Sequence, residues 1–179
     1  MSAPVLETER LILRGHVRDD YDAELALWND AGVRRNLLAG AEARPDEVWS
    51  RLLRYMGHWA AMNWGYWAIV ERKSGRFIGE CGFADFKRGL GVDLPEAGWA
   101  IRDDASGKGY AREAMRTALA WADERFGATF CIIAADNVRS IKLAQKLGFE
   151  IGERIAFKDA ETLVCRRMRP ARQAGGMGA

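Results

Sequence analysis

The stretch from Glu96 to Trp121 constrains the fold of this chain more than any other. A short apolar run, Glu96-Ala97-Gly98-Trp99-Ala100-Ile101, leads into a small-residue turn, Ser106-Gly107-Lys108-Gly109, and a helix follows at once. Ala111, Ala114, Met115, Ala118, Leu119 and Ala122 recur at helical spacing, so one helix face is apolar. Strand, glycine turn and helix start together make an anion cradle. Glycines let the backbone come close, and free N–H groups at the helix N-terminus point at the anion. Two common phosphate loops fail on spacing. A Walker A loop needs Ser or Thr after its Lys, where Gly109 stands here, and a Gly where this chain has Arg102. The dinucleotide fingerprint needs a third Gly where Arg112 stands. A plain glycine turn entering a helix is the alternative reading of the segment alone.

The 179 residues are enough for one domain with a substantial core, burying roughly 70% of the unfolded surface. We take residues 1–170 as that domain and 171–179, rich in Gly and Ala, as a disordered tail. A net charge of +2 is too close to neutral to imply a nucleic-acid or membrane partner. The arginines at 166, 167, 169 and 172 read as a solvated strand end. Cys81, Cys131 and Cys165 are widely spaced and lack any ligand pattern, which suits buried reduced thiols in a cytoplasmic protein. His16 and His58 lack metal-site spacing and read as structural or exposed, so no metal is expected. No apolar run approaches the roughly 20 residues that span a bilayer, and the N-terminus does not resemble a signal peptide.

Taken in order, residues 9–15 alternate as a first strand. Asp19 and Asp20 cap a helix that ends at 29–32, and a loop runs to Ala43. Pro45 opens a second helix whose stripe includes Val48, Trp49, Leu52, Leu53, Met56 and Trp59. Residues 66–70 and 77–86 form a hairpin around 73–75, with Gly79 and Gly82 marking a bulge or a close backbone approach. A glycine-rich connection, 87–94, precedes the strand 97–101. The helix after the cradle runs about sixteen residues, or roughly 24 Å. Residues 128–135 read as a central strand, parallel to 97–101 through a right-handed crossover. A shorter helix spans 137–147 with Gly148 as its C-cap, and 149–157 and 161–167 close the chain as a hairpin.

Three separated segments resemble one family. Ser106-Gly107-Lys108-Gly109-Tyr110-Ala111 resembles the pyrophosphate loop of the GNAT acyltransferases, with Ser106 standing where many members carry Arg or Gln. The run Gly107 to Ala114 looks like the branch that includes ribosomal-protein N-terminal acetyltransferases. Thr8-Glu9-Arg10-Leu11-Ile12-Leu13-Arg14 resembles that branch's opening strand. Asn137-Val138-Arg139-Ser140, continuing to Lys146-Leu147-Gly148-Phe149, resembles the segment that lies along the coenzyme's pantetheine arm. The resemblance implies an α/β fold (mixed α+β) with a central twisted mixed sheet of about seven strands and helices on both faces.

It also implies acetyl-CoA as co-substrate and a primary amine as acceptor, on a protein N-terminus or a small molecule, in a monomer or homodimer. The alternatives are a small-molecule amine acetylase and a GNAT-like module that holds acyl-CoA without turnover. By this resemblance Ser106, Gly107, Lys108, Gly109, Tyr110, Ala111 and Arg112 hold the pyrophosphate, and Trp99, Ala100 and Ile101 pair with the pantetheine as an added strand. Asn137 and Lys146 join the binding set. An N–H near Trp99 or Ala100 stabilises the oxyanion. Many members carry a Tyr where this chain has Ala144, so Ser140 is assigned to the leaving thiolate, and a purely local Ser140 hydrogen bond is its alternative. Asn137 is divided between helix cap and contact with coenzyme or substrate. Glu96 is the candidate base, against an ordinary strand-end carboxylate. Neutralising an N-terminal amine at pH 7 costs about 3.5 kcal/mol less than neutralising a Lys. A weak base therefore points to an α-amine or another amine of low pKa. Trp28, Trp49, Trp59 and Trp64 are candidates to line the acceptor pocket, beside the connection 87–94.

Overall fold

The structure, a computed structural model, describes residues 2–158 and 160–171. The expected tail lies outside the described residues apart from Ala171, as does Arg172. The strands are β1 (Leu6–Glu7), β2 (Leu11–Gly15), β3 (Tyr66–Glu71), β4 (Phe77–Ala84), β5 (Glu96–Ile101), β6 (Ala128–Ala134), β7 (Glu150–Phe157) and β8 (Ala160–Met168). The helices are α1 (Tyr21–Trp28), α2 (Ala31–Leu37), α3 (Pro45–Met62), α4 (Tyr110–Asp123) and α5 (Val138–Lys146). All the strands join one mixed sheet in the order β1-β2-β3-β4-β5-β6-β8-β7. The sheet has eight strands rather than about seven, because the two-residue β1 pairs antiparallel with β2.

The largest core sits between the sheet and α4. Ala114, Met115, Ala118, Leu119 and Ala122 pack against Leu11, Leu13, Trp67, Ile69, Cys81 and Ala97. The alanines bring the helix axis close to the strands, and Met115 and Leu119 each contribute about 1.5–3 kcal/mol by burial. α4 runs for 14 residues and ends at Asp123, a little short of the expected length. A second core gathers Leu27, Trp28, Val33 and Val48 from α1, α2 and α3 against Ala100 of β5. Pro45 opens α3 and Asn63, in the left-handed region, ends it.

Two expectations change. Residues 31–37 form α2 rather than a loop. Asp30 caps it by accepting from Gly32 N (3.1 Å), and its other oxygen accepts from Asp103 N. Gly32 is needed there, because a Cβ would lie 2.0 Å from Asp103 Oδ1. This helix is held by tertiary contacts that no local periodicity announces. The arginine group is also not a uniformly solvated strand end. Arg167 is buried, with both Nη atoms on Asp123 of α4 (2.6 and 2.8 Å) and Nε on Leu147 O. Arg166 pairs with Glu153 across the β7–β8 hairpin (2.7 Å). β7 is the exposed edge of the sheet, and this charge and the register shift at Ile151/Arg154 discourage further strand pairing.

The central feature is a gap. β5 and β6 run parallel but are in register at Glu96 and Phe130 alone, with Phe130 N donating to Pro95 O (3.1 Å). Beyond that point the two strands diverge, which gives the separation that binding an extended arm requires.

Candidate active site

The divergence leaves half of β5 without a strand partner. Arg102 N donates to Ile78 O, so the even-numbered residues of β5 turn their backbone groups to β4. Trp99 and Ile101 therefore turn theirs into the gap. The Ala100 amide is committed to β4, so of the expected pair the Trp99 N–H is the one that faces the gap. The side chains alternate as well. Trp99 and Ile101 pack on the α4 side, while Ala100 joins the core under α1, α2 and α3. Glu96 and Gly98 share the face of Ala100.

At the far end of β5 the chain passes through a short 3-10 turn, Asp103–Ala105, into the cradle. Gly107 and Gly109 have φ of +77° and +83°, in the region that favours glycine. Among the described residues, none of the N–H groups from 107 to 112 finds an acceptor, and the first bond of α4 runs from Glu113 N to Gly109 O. The loop carbonyl is turned the other way. Arg10, on the segment between β1 and β2, donates to Lys108 O (3.0 Å) and pairs with Glu113 (2.6 Å). Tyr110 OH donates to Glu71 (2.5 Å) and its ring lies under Arg10 (4.6 Å). Lys108 and Arg112 are exposed, Ala111 and Ser106 half-buried. Arg139, from the first turn of α5, reaches the loop as well, its Nη2 4.0 Å from where a Gly107 Cβ would stand. Arg10 and Arg139 both lie within the matched segments, but nothing in the local sequence shows that their side chains reach the loop.

On the other side of the gap, Asn137 is the cap of α5 and its Oδ1 accepts from Ser140 N (3.1 Å). Ser140 is half-buried, and its hydroxyl makes no hydrogen bond among the described residues, so the alternative of a purely local bond is not seen. Lys146 is exposed at the opposite end of α5 from Ser140 and is not brought to the cradle.

Glu96 is not an ordinary exposed strand end. It is 5% exposed, and its Oε2 accepts from Arg88 Nε at 2.7 Å. Burial raises its pKa, and the hydrogen bond and charge of Arg88 only partly oppose that shift. Arg88 itself lies over Phe86 (4.4 Å) and Phe157 (5.4 Å). Glu96 borders a cavity of about 510 Å³, whose walls include Met62, Trp64, Phe86, Leu90 and Leu94. The connection 87–94 supplies half of the residues that line this cavity, and among the described residues only Met62 of the early helices takes part. Of the four candidate tryptophans, Trp64 lines it. Trp49 lines a separate, open depression, and Trp28 and Trp59 are buried in the cores. His58 shapes the cavity rim. It accepts from Asp85 N on Nε2 (3.0 Å), so Nδ1 donates to Trp64 O (2.6 Å).

A buried polar group lies on the same sheet face. His16, Glu24 and Glu80 are all under 7% exposed, and His16 Nδ1 is 3.0 Å from Glu24 Oε1. Tyr55 OH donates to Glu80 Oε1 (2.8 Å). Burial pushes Glu24 up to about 7 and Glu80 up to about 8, and lowers His16. At neutral pH the two carboxyls share protons rather than both carrying charge. Single residues just after β2, in α1 and in β4, far apart in the chain, gave no sequence signal for this group.

A parallel pair that diverges beside a glycine cradle, above a helix start with free N–H groups, defines an acyl-group transferase architecture. The profile of the acetyltransferase (GNAT) domain matches residues 10–150, and the chain belongs to that family of acetyltransferases. A protein of Bordetella pertussis described as a GnaT-family acetyltransferase is 33% identical, with a TM-score of 0.80 over 92% of this chain and 99% of that one. Protein YkkB of Bacillus subtilis is 29% identical over 84% of this chain and 87% of its own length. The ribosomal-protein-S5-alanine acetyltransferase of Vibrio fischeri shares the fold at 17% identity, with a TM-score of 0.73 over 95% of this chain and 99% of its own. Among the described residues, no helix is long and apolar enough to cross a membrane.

Proposed function

We propose that this chain is a single-domain, cytoplasmic N-acetyltransferase that moves an acetyl group from acetyl-CoA to an α-amine, such as a protein N-terminus, by direct attack. The observation that carries the reading is the buried Glu96, at the point where β5 and β6 part and on the wall of the cavity. A coenzyme A thioester fits the residues around the gap. The open N–H groups of 107–112 and the charges of Lys108 and Arg139 suit its diphosphate. The unpaired edge at Trp99 and Ile101 suits its amide arm.

Bound there, the co-substrate supplies an activated acyl carbon. Trp99 N–H is placed to stabilise the carbonyl oxygen as charge develops on it. Glu96 accepts the amine's proton, and its raised pKa brings it nearer to the amine it must deprotonate. Ser140 donates a hydrogen bond to the departing sulfur, which needs little help, because a thiol of pKa about 8.5 leaves readily. The mostly apolar wall, and a carboxylate as the base, favour an amine of low pKa over a Lys side chain.

A thiol-release assay tests the reading. Acetyl-CoA is offered with peptides carrying free N-termini, with the same peptides blocked at the N-terminus but carrying Lys, and with small primary amines. Turnover of the free N-termini alone is expected. Turnover confined to small amines would move the acceptor to the small-molecule class, and turnover of the Lys peptides would contradict the low-pKa argument.

A further inference from the structure

Tyr66 is the unexplained side chain nearest the chemistry. It opens β3, and in register it stands opposite Gly82 of β4, which stands opposite Gly98 of β5. Two glycines in line leave a track across two strands, and the Tyr66 ring fills it. A Cβ on Gly98 would lie 2.0 Å from the Tyr66 hydroxyl oxygen, and a Cβ on Gly82 would lie 2.5 Å from Tyr66 Cα. The phenol therefore reaches across β4 and sets its oxygen directly on β5, beside the residue whose amide faces the gap.

The ring cannot swing away. It is stacked on Tyr55 (centroids 4.6 Å apart, planes 4° apart) and flanked by Phe86 at 6.1 Å. The two stacked phenols are treated differently. Tyr55 spends its hydroxyl on Glu80, whereas the Tyr66 hydroxyl makes no hydrogen bond among the described residues. Gly98 and Glu96 lie two apart on one strand, so the free hydroxyl and the candidate base look out from the same face. Burial, and next the charge of Glu96, keep the phenol protonated. Packing alone would be served equally by Phe, and the Tyr66 oxygen, unlike Trp28 Nε1 or Glu80 Oε2, is not sealed from solvent, so it is open to a ligand.

We propose that Tyr66 is a catalytic residue that holds the acceptor amine. Its oxygen accepts one N–H of the neutral amine and leaves the nitrogen lone pair directed at the acyl carbon. The new C–N bond forms as the C–S bond breaks, the electron pair of that bond leaves on sulfur, and the amine's surplus proton passes to Glu96. The inference rests on the amine acetyl-transfer reading above and adds a group to it that is absent from the three matched motif segments.

The test is Tyr66→Phe, which keeps the ring in its track and removes only the oxygen. Three quantities are measured on wild type, Tyr66→Phe and Tyr55→Phe: turnover of a free N-terminal peptide, the affinity of coenzyme A by calorimetry, and the affinity of that peptide for the protein saturated with coenzyme A. For Tyr66→Phe, kcat/KM is expected to fall about tenfold and the peptide to bind the coenzyme A complex several-fold more weakly. Its coenzyme A affinity and melting temperature should stay at the wild-type values. Tyr55→Phe, which frees a buried Glu80 oxygen, should lower the melting temperature and leave kcat/KM in place. Wild-type kcat/KM and peptide affinity in Tyr66→Phe would reduce the residue to packing and overturn the assignment. A wild type that binds coenzyme A but acetylates no amine would instead overturn the acetyl-transfer reading, and this inference with it.

Discussion

At the residue scale, the cradle depends on backbone rather than on side chains. Gly107 and Gly109 hold φ values that cost a side-chain-bearing residue about 1–2 kcal/mol each. Both glycines are exposed, and a Cβ would meet Arg139 Nη2 at 4.0 Å from Gly107 and Arg10 Nη2 at 3.5 Å from Gly109, so either side chain would enter the cradle's surface rather than the core. Gly109→Val is expected to weaken coenzyme A binding at least about tenfold by calorimetry, through strain and lost approach together. Ser106→Ala should stay within about twofold, because a half-buried hydroxyl adds little beside a row of free N–H groups. A large loss in Ser106→Ala would mean that the side chain takes over the role of the Arg or Gln expected there. Glu96 carries the second residue-scale prediction. Its raised pKa moves the acid limb of the rate profile above the usual carboxylate range, and activity is present above that limb and lost as pH falls through it. Glu96→Gln should cost on the order of 100-fold in kcat/KM and remove that limb. A rate profile of unchanged shape would assign the limb to the amine alone.

At the element scale, Asn137 shows how a cap and a contact compete. Its Oδ1 is spent on Ser140 N, so its first duty is to start α5 and thereby to fix Ser140 at the gap. Asn137→Ala should lower unfolding free energy by about 1 kcal/mol in urea titration, while Asn137→Asp restores the cap. If the residue also contacts the coenzyme through its amide N–H groups, Asp rescues stability but not coenzyme A affinity, and full rescue of both would leave it a cap alone. The same scale explains what was legible beforehand. β5, the cradle and α4 were readable because strand, paired glycines and a 3.6-residue stripe follow one another without interruption. The divergence of β5 from β6 was not, since nothing in Ala128–Ala134 says how far it follows its neighbour. Only the resemblance implied it, by pairing Trp99 to Ile101 with an added strand from the coenzyme. α2 escaped because seven residues with a Gly carry almost no period, and Asp103, seventy positions away, completes its seating. Arg88 escaped for the same reason. Its pairing with Glu96 exists only once the 87–94 connection has folded back.

At the scale of the whole molecule, the face that carries Glu96 and Tyr66 also carries a buried titrating group, and this sets how stability responds to pH. Glu24 and Glu80 are raised from the ordinary 4.5 to about 7 and about 8. Between the ordinary and the raised values the folded protein holds protons that the unfolded chain has released. Their contribution to stability is therefore fully present below about pH 4.5 and is lost as pH rises toward 8, by about 1.4 kcal/mol per pH unit for each proton. His16 acts in the opposite sense. Its lowered pKa disfavours the charged form in the fold, so its contribution improves as pH rises toward 6.5 and then levels off. The fall should be steepest just above pH 6.5, where His16 no longer offsets the carboxyls. The other groups around the cluster, Arg51, Tyr55 and the Arg14–Asp20 pair, titrate outside this window. Glu80→Gln removes one of the two protons while its amide oxygen still accepts from Tyr55. Urea unfolding from pH 5.5 to 8.5 should then show a shallower fall and a variant more stable than wild type at the alkaline end. Equal slopes in the two proteins would mean that both carboxyls are ionised in the fold. Arg51 would then be neutralising them, and the proton-sharing account of this face would be wrong.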